Sequence, residues 1–212
     1  MKRLFSSIVL IVISCVSAKA QLISPTTLYK EGISLGLEKN KILFLEYAKN
    51  GFSGRVKQTL TADKAKYQYF RIEGGYDFHT EFVDLSCDVF YSSEWHLESF
   101  TIGSQVTLIS SIYDKYGNIA VRYVPYYDRD LKFHNGWSVS GKVNLTKSIS
   151  LVAEYGNVPD FRIAYNRLYL GAIFTVKNLS VYPVLEIPLY ENEIHLSHSQ
   201  MVVSICYTFG FK

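Results

Sequence analysis

The sequence predicts an all-β fold, a single antiparallel transmembrane β-barrel of about twelve strands, with ten as the alternative, behind a cleaved signal peptide. Three observations predict it. The first twenty residues read as an export signal, the rest of the chain alternates apolar and polar side chains with period two, and aromatic residues crowd the ends of the alternating runs. Of 212 residues, 48% are hydrophobic, 15% aromatic and only 19% charged, which excludes a disordered, collagen-like or disulfide-dense chain.

Met1-Lys2-Arg3 is a short basic region, and a mostly apolar run from Leu4 to Val16 follows it. Ala18 and Ala20 flank Lys19 at the A-x-A spacing of a signal-peptidase site, so residues 1–20 are expected to be removed after Ala20 and 21–212 to form the barrel. Val12-Ile13-Ser14-Cys15 is a competing lipoprotein-like box. The formal charge of +3 is carried by Lys2, Arg3 and Lys19, so the chain from Gln21 onward is neutral. A neutral chain has no general attraction for nucleic acid, and no nucleic-acid partner is expected. Cleavage also removes Cys15, leaving Cys87 and Cys206, which are read as small apolar strand residues with a single bridge as the alternative. No later segment has the roughly 18 unbroken apolar residues of a membrane-spanning helix.

The alternation is clearest in the C-terminal half. Trp137, Val139, Gly141, Val143 and Leu145 interleave with polar residues, and past Thr146-Lys147 so do Ile149, Leu151, Ala153 and Tyr155, giving a hairpin with one apolar face. Leu168 to Val176 makes a third run, Leu179 to Leu189 a fourth beyond a turn at Lys177-Asn178, and Met201 to Phe211 the last. Seven noisier runs precede them, carried by Ile33/Leu35/Leu37, Leu43/Leu45/Tyr47, Phe52/Val56/Leu60, Phe70/Ile72/Tyr76, Val83/Leu85/Val89/Tyr91, Phe100/Ile102/Val106/Leu108 and Ile119/Val121/Tyr123. Pro183 and Pro188 fall inside one run and would need a bulge, while Pro125 and Pro159 are placed near strand ends.

Which face meets water separates a membrane barrel from a soluble sandwich. With the apolar positions toward lipid, the interior receives Glu38, Glu46, Arg55, Lys57, Arg71, Glu73, Asp77, Asp84, Asp88, Arg122, Lys142, Glu154, Arg167 and Glu186. Acids and bases nearly balance in this set, as pairing across a narrow interior requires. The same residues on an ordinary solvated sheet face are the alternative. Aromatics at the run ends, among them Tyr67, Tyr69, Tyr76, Phe78, Tyr91, Trp95, Tyr123, Tyr126, Tyr127, Phe133 and Trp137, suit the interfacial girdles of a barrel.

Ser204 to Phe211, with Tyr207, Phe209 and Phe211 alternating toward the chain end, resembles the closing strand of Gram-negative outer-membrane β-barrel proteins. The resemblance implies residence in the cell outer membrane, contact with its lipid, and recognition of the final strand by the barrel-assembly machinery. Cys206 stands where that signal usually has Gly, and Lys212 follows the last aromatic. Cleavage before Gln21 and the abundance of Tyr and Asn look like Bacteroidetes proteins. Leu43 to Ala48 ahead of Phe52 and Arg55 echoes Leu151 to Gly156 ahead of Phe161 and Arg162, and such Leu-x-x-Glu-Tyr hairpins are similar to those of YjbH-type exopolysaccharide-linked barrels.

The histidines His79, His96, His134, His195 and His198, with Glu81, Glu94, Glu98, Asp128, Asp130 and Ser199 near them, are the candidates for an enzymatic site. None falls in a local motif such as G-x-S-x-G or H-E-x-x-H, and His195 and His198 are read as polar loop residues rather than metal ligands. An acid-base pair among Glu73, Asp84, Asp88 and Glu186 is left open by spacing alone. No catalytic, cofactor or metal residue is therefore assigned. The expected function is a non-enzymatic barrel in envelope or cell-surface polysaccharide work, with a narrow passive pore as the alternative and an outer-membrane enzyme of lipid hydrolase, acyltransferase or protease type as the second.

Overall fold

The computed structural model describes residues 31–60, 68–94, 99–110, 116–159, 166–190, 193–194 and 196–210. The expected signal peptide, Tyr67, Trp95, His96, Glu98, Phe161, Arg162, His195, Phe211 and Lys212 lie outside the described residues.

The strands are β1 (Gly32–Glu38), β2 (Ile42–Lys49), β3 (Phe52–Thr59), β4 (Tyr69–His79), β5 (Val83–Glu94), β6 (Phe100–Ser110), β7 (Gly117–Asp128), β8 (Phe133–Asn144), β9 (Ile149–Gly156), β10 (Arg167–Val176), β11 (Leu179–Tyr190), β12 (Glu193–Ile194) and β13 (Gln200–Gly210). Each of β1 to β11 pairs antiparallel with its successor, β11 pairs with β13, and β13 returns to β1, where Ile33 faces Phe209. Two-residue β12 only extends the tip of β11. Among the described residues twelve strands thus close into one ring, and a meander with no free edge results. Every run read from the sequence becomes one of these strands, and the ten-strand alternative falls away.

The polarity of the ring is inside-out. Along β2, Leu43, Leu45 and Tyr47 are exposed while Ile42, Phe44 and Glu46 are buried. Along β7, Ile119, Val121 and Tyr123 are exposed while Ala120, Arg122 and Val124 are buried. A soluble sandwich hides its larger apolar face, whereas here that face is turned outward all round the ring, as only a lipid surrounding makes favourable. The fold is therefore a transmembrane β-barrel.

β1 begins beside the end of β13, so one rim carries both ends of the ring. That rim is closed mostly by short turns. Asn50 and Gly51 both have positive φ, the requirement of a two-residue type I′ hairpin turn, and Lys177-Asn178 joins β10 to β11. Outward aromatics gather there, with Phe52, Tyr76 and Phe78 at ring separations of 4.6 and 4.7 Å and Tyr207 against Phe209 at 4.7 Å. A second set, Tyr91 with Phe100 and Tyr127 with Phe133, rings the opposite rim, where the longer connections lie. Two aromatic girdles bracketing an aliphatic band are the interfacial belts of a membrane barrel.

The prolines need a different account from the one the sequence suggested. No bulge forms at Pro183: the β10–β11 pairing skips Ala172 and Ile173 against Tyr182 and Pro183, then resumes in the same register. Pro125 lies within β7, three residues from its end, and the β6–β7 ladder skips Ser104 and Gln105 opposite Val124 and Pro125 in the same way. Each proline lacks one donor, and the ladder loses its rungs locally instead of shifting. On their other sides Pro183 stays paired with Val203 and Pro125 with Asn135, which holds the register.

Candidate functional site: the polar interior

All fourteen charged residues expected inside the barrel face inward. Twelve of them are buried, and Lys142 and Arg167 are partly so. The register explains who meets whom. Glu46 on β2 is opposite Arg55 on β3, and the Arg55 Nε donates to the Glu46 carboxylate at 2.9 Å. One layer away, Lys57 Nζ lies 3.0 Å from Glu38 and 3.7 Å from Glu73, and Arg71 Nε lies 2.6 Å from Glu73. Farther round, Arg122 on β7 faces Glu154 on β9 at 3.9 Å, and Arg167 on β10 meets Glu186 on β11 at 3.2 Å. Buried charges persist only when paired, so this network is the condition under which so polar an interior can sit inside a membrane.

Arg71 and Arg122 both reach into the lumen, each only 1% exposed. Arg71 stacks its guanidinium 3.8 Å from the Phe90 ring centre and donates from Nη1 to the carbonyl of Pro159 at 2.9 Å. Pro159 follows β9, near the opposite side of the ring from β4, so the segment after β9 turns into the lumen and not outward. Val158 packs there on a buried patch of Phe90, Val124 and Tyr126. Sequence spacing had no means of placing this segment, because its side chains carry no alternation.

A second inner patch lines the other half. Phe44, Tyr169, Tyr182, Val184, Val202 and Cys206 form one cluster, with Ile173 packed against it. Gly36 makes room for it, since a Cβ there would stand 2.6 Å from the Phe44 ring. At the loop rim Lys39 folds back over this cluster, its Nζ donating to the Tyr169 hydroxyl at 3.2 Å, across two intervening strands. Lys39 was not among the expected interior charges because it belongs to a turn, where strand parity assigns no face.

The candidates for chemistry are dispersed. His79 pairs with Asp84 at 3.2 Å by the turn rim, and His134 pairs with Asp128 at 2.9 Å by the loop rim, stacked on Tyr126. Asp128 also accepts the backbone N–H groups of Asp130 and Lys132, which ties it to the β7–β8 turn. Glu94 is the acceptor for the Tyr69 hydroxyl, Glu81 lies in the β4–β5 turn, and His198 closes a short 3-10 turn, exposed, just ahead of Ser199. Glu73, Asp84 and Asp88 line β4 and β5 whereas Glu186 stands on β11, and Asp88 is held by Ser86 at 3.2 Å and Gln105 at 3.4 Å. Cys87 faces outward from β5 and Cys206 inward from β13, and no bridge joins them.

No protein-family model matches the chain, and no curated protein matches it by sequence. Solved structures do match its fold. The KdgM porin, determined in complex with disordered oligogalacturonate, aligns with a TM-score of 0.57 over 84% of this chain and 97% of that one, at 13% identity. The NanC porin aligns with a TM-score of 0.53 over 84% of this chain and 98% of that one, at 10% identity. The ring and its charged interior thus define a transmembrane β-barrel of porin architecture. At such identities the likeness is one of fold, and it covers nearly the whole of both porins.

Proposed function

We propose that the protein is a narrow passive pore of the outer membrane that admits small polar solutes through its charge-lined interior. The observation that carries this reading is the closed ring itself, with an aliphatic outer wall and an inner wall of alternating acids and bases. A solute moving along such a wall exchanges water for fixed, opposite charges at successive levels, while the apolar band keeps the barrel in the bilayer. The short-turn rim is then the periplasmic one and the rim bearing the longer connections faces outward.

The outer-membrane setting rests on the two aromatic girdles and on the porin likeness, and it entails lipid as the surrounding partner. Tyr207 and Phe209 stand outward on the last strand, where assembly machinery would read them. A saccharide solute is favoured by one observation, that the similar KdgM porin was determined with oligogalacturonate, and it keeps the cell-surface polysaccharide role as a second reading. Conductance across a planar bilayer tests the pore: small, steady, voltage-tolerant steps are expected, and a bilayer that stays silent with correctly folded barrel inserted would overturn it.

A further inference from the structure

Most of the charge on the inner wall cancels in pairs, and what does not cancel has one sign. Besides the eight acids and six bases that strand parity places inside, the wall carries Glu94 and Asp128, on the inward positions that end β5 and β7, and Lys39 from the β1–β2 turn. Among the described residues ten acids therefore share the inner wall with seven bases, an excess of three negative charges. Pairing moves this excess about without removing it, because an ion pair adds nothing to the sum. The chain from Gln21 onward is neutral, so the acidity of the inner wall comes from placement and not from composition.

The cations, moreover, are engaged by the wall itself. Arg55, Lys57, Arg71, Arg122 and Arg167 each lie no more than 3.9 Å from a glutamate. Arg71, Lys39 and Arg55 also stand over the rings of Phe90, Tyr169 and Phe44, at 3.8, 5.2 and 5.4 Å. An acidic solute is recognised by guanidinium groups whose donors it can share, and here the donors are already turned to carboxylates of the barrel. The acids are unevenly placed as well. Asp77, Asp84 and Asp88 share the turn-rim half of the β4–β5 hairpin. Across the ring, β10 and β11 present only hydroxyls at that rim, Thr175 and Ser180 3.1 Å apart, and beside them Ser34 and Thr208 are 3.1 Å apart. The base at this rim is Lys142, near the end of β8 and three strands from β5.

A net charge on a tube walled by protein and lipid is weakly screened, and it concentrates ions of the opposite sign inside. We propose that the pore is cation-selective: it passes small cationic and neutral solutes and holds back acidic ones, acidic saccharides among them, with Asp77, Asp84 and Asp88 as the selecting residues. This deepens the pore reading and rests on it.

The reversal potential of the inserted barrel is measured across a planar bilayer in a KCl gradient at or below about 0.1 M, where the Debye length is about 10 Å. Potassium should be favoured over chloride about tenfold. The preference should fade near 1 M, where the screening length is about 3 Å. Asp77→Asn with Asp84→Asn should lower the ratio several-fold and Asp88→Asn, the second variant, should lower it less, while Asp130→Asn in the exposed β7–β8 turn leaves it unchanged. Swelling of vesicles in glucosamine, glucose and glucuronate, three solutes of nearly one size and different charge, gives a reading that needs no variant. Glucuronate should enter about tenfold more slowly than the other two. A silent bilayer overturns the pore reading itself. Steps that favour chloride or neither ion, or glucuronate entering as fast as glucose, leave the pore standing and overturn the selectivity. A potassium preference that neither variant moves overturns the assignment to the β4–β5 hairpin.

Discussion

Arg71 bridges the barrel from wall to wall: rooted on β4, it lies over the Phe90 ring and bonds the carbonyl of Pro159, which enters the lumen after β9. One side chain thus joins an inner apolar patch, the carboxylate of Glu73 and a segment from the far wall. If the barrel conducts, this bridge stands across its path.

Arg71→Ala should therefore enlarge the unitary conductance, because it removes the guanidinium from the lumen and releases the tie to Pro159. Lys132→Ala, a change at an exposed ion pair in the β7–β8 turn, should leave the step size as it was. Single-channel recording of the two variants beside the parent checks this. Equal steps in all three would place the limiting width elsewhere.

The ion pairs predict a contrast in stability. Glu154→Ala removes the acid that Arg122 faces at 3.9 Å in the buried interior, a loss of about 3–5 kcal/mol. Lys147→Ala and Lys177→Ala alter exposed turn positions, where an ion pair is worth about 0–1 kcal/mol. Heat-modifiable gel mobility followed against temperature should show the first barrel melting well below the parent and the other two with it. Four equally stable proteins would mean that the inner face is simply hydrated.

The chain order of these strands was legible in the sequence because a barrel wall obeys one rule, that alternate residues face opposite media. Parity placed Glu46, Arg71 and Arg122 correctly without any knowledge of partners. It failed where parity has no meaning. Lys39 sits in a turn with φ of 51°, Pro159 in a connection, and both end inside the lumen. Nor did parity reveal which charges would pair, since Arg122 meets Glu154 two strands away and not on a neighbour. The similarity noted between Leu43-to-Ala48 and Leu151-to-Gly156 extends to the inward glutamates, but Glu46 pairs with the adjacent strand and Glu154 does not.

Gly36 offers a packing test. A Cβ at this position would lie 2.6 Å from the Phe44 ring as well as against the backbone of Ile205, so Gly36→Ala should cost about 1–3 kcal/mol of overpacking. Gly141, outward on β8 with open space around it, is the control, and Gly141→Ala should be nearly silent. Urea titration of both variants folded in vesicles separates them, and equal midpoints would show that the Phe44 cluster yields without cost.

The barrel is inside-out, and neighbouring residues on its wall give that polarity a sharp test. Leu45 is 51% exposed and Phe44 1%, while Val89 is 66% exposed and Phe90 3%. A carbene generated from a diazirine lipid confined to the bilayer core should modify Leu45 and Val89, mapped by mass spectrometry, and pass over Phe44 and Phe90. Labelling of Phe44 and Phe90 with Leu45 and Val89 untouched, or no labelling of any of the four, would contradict the barrel.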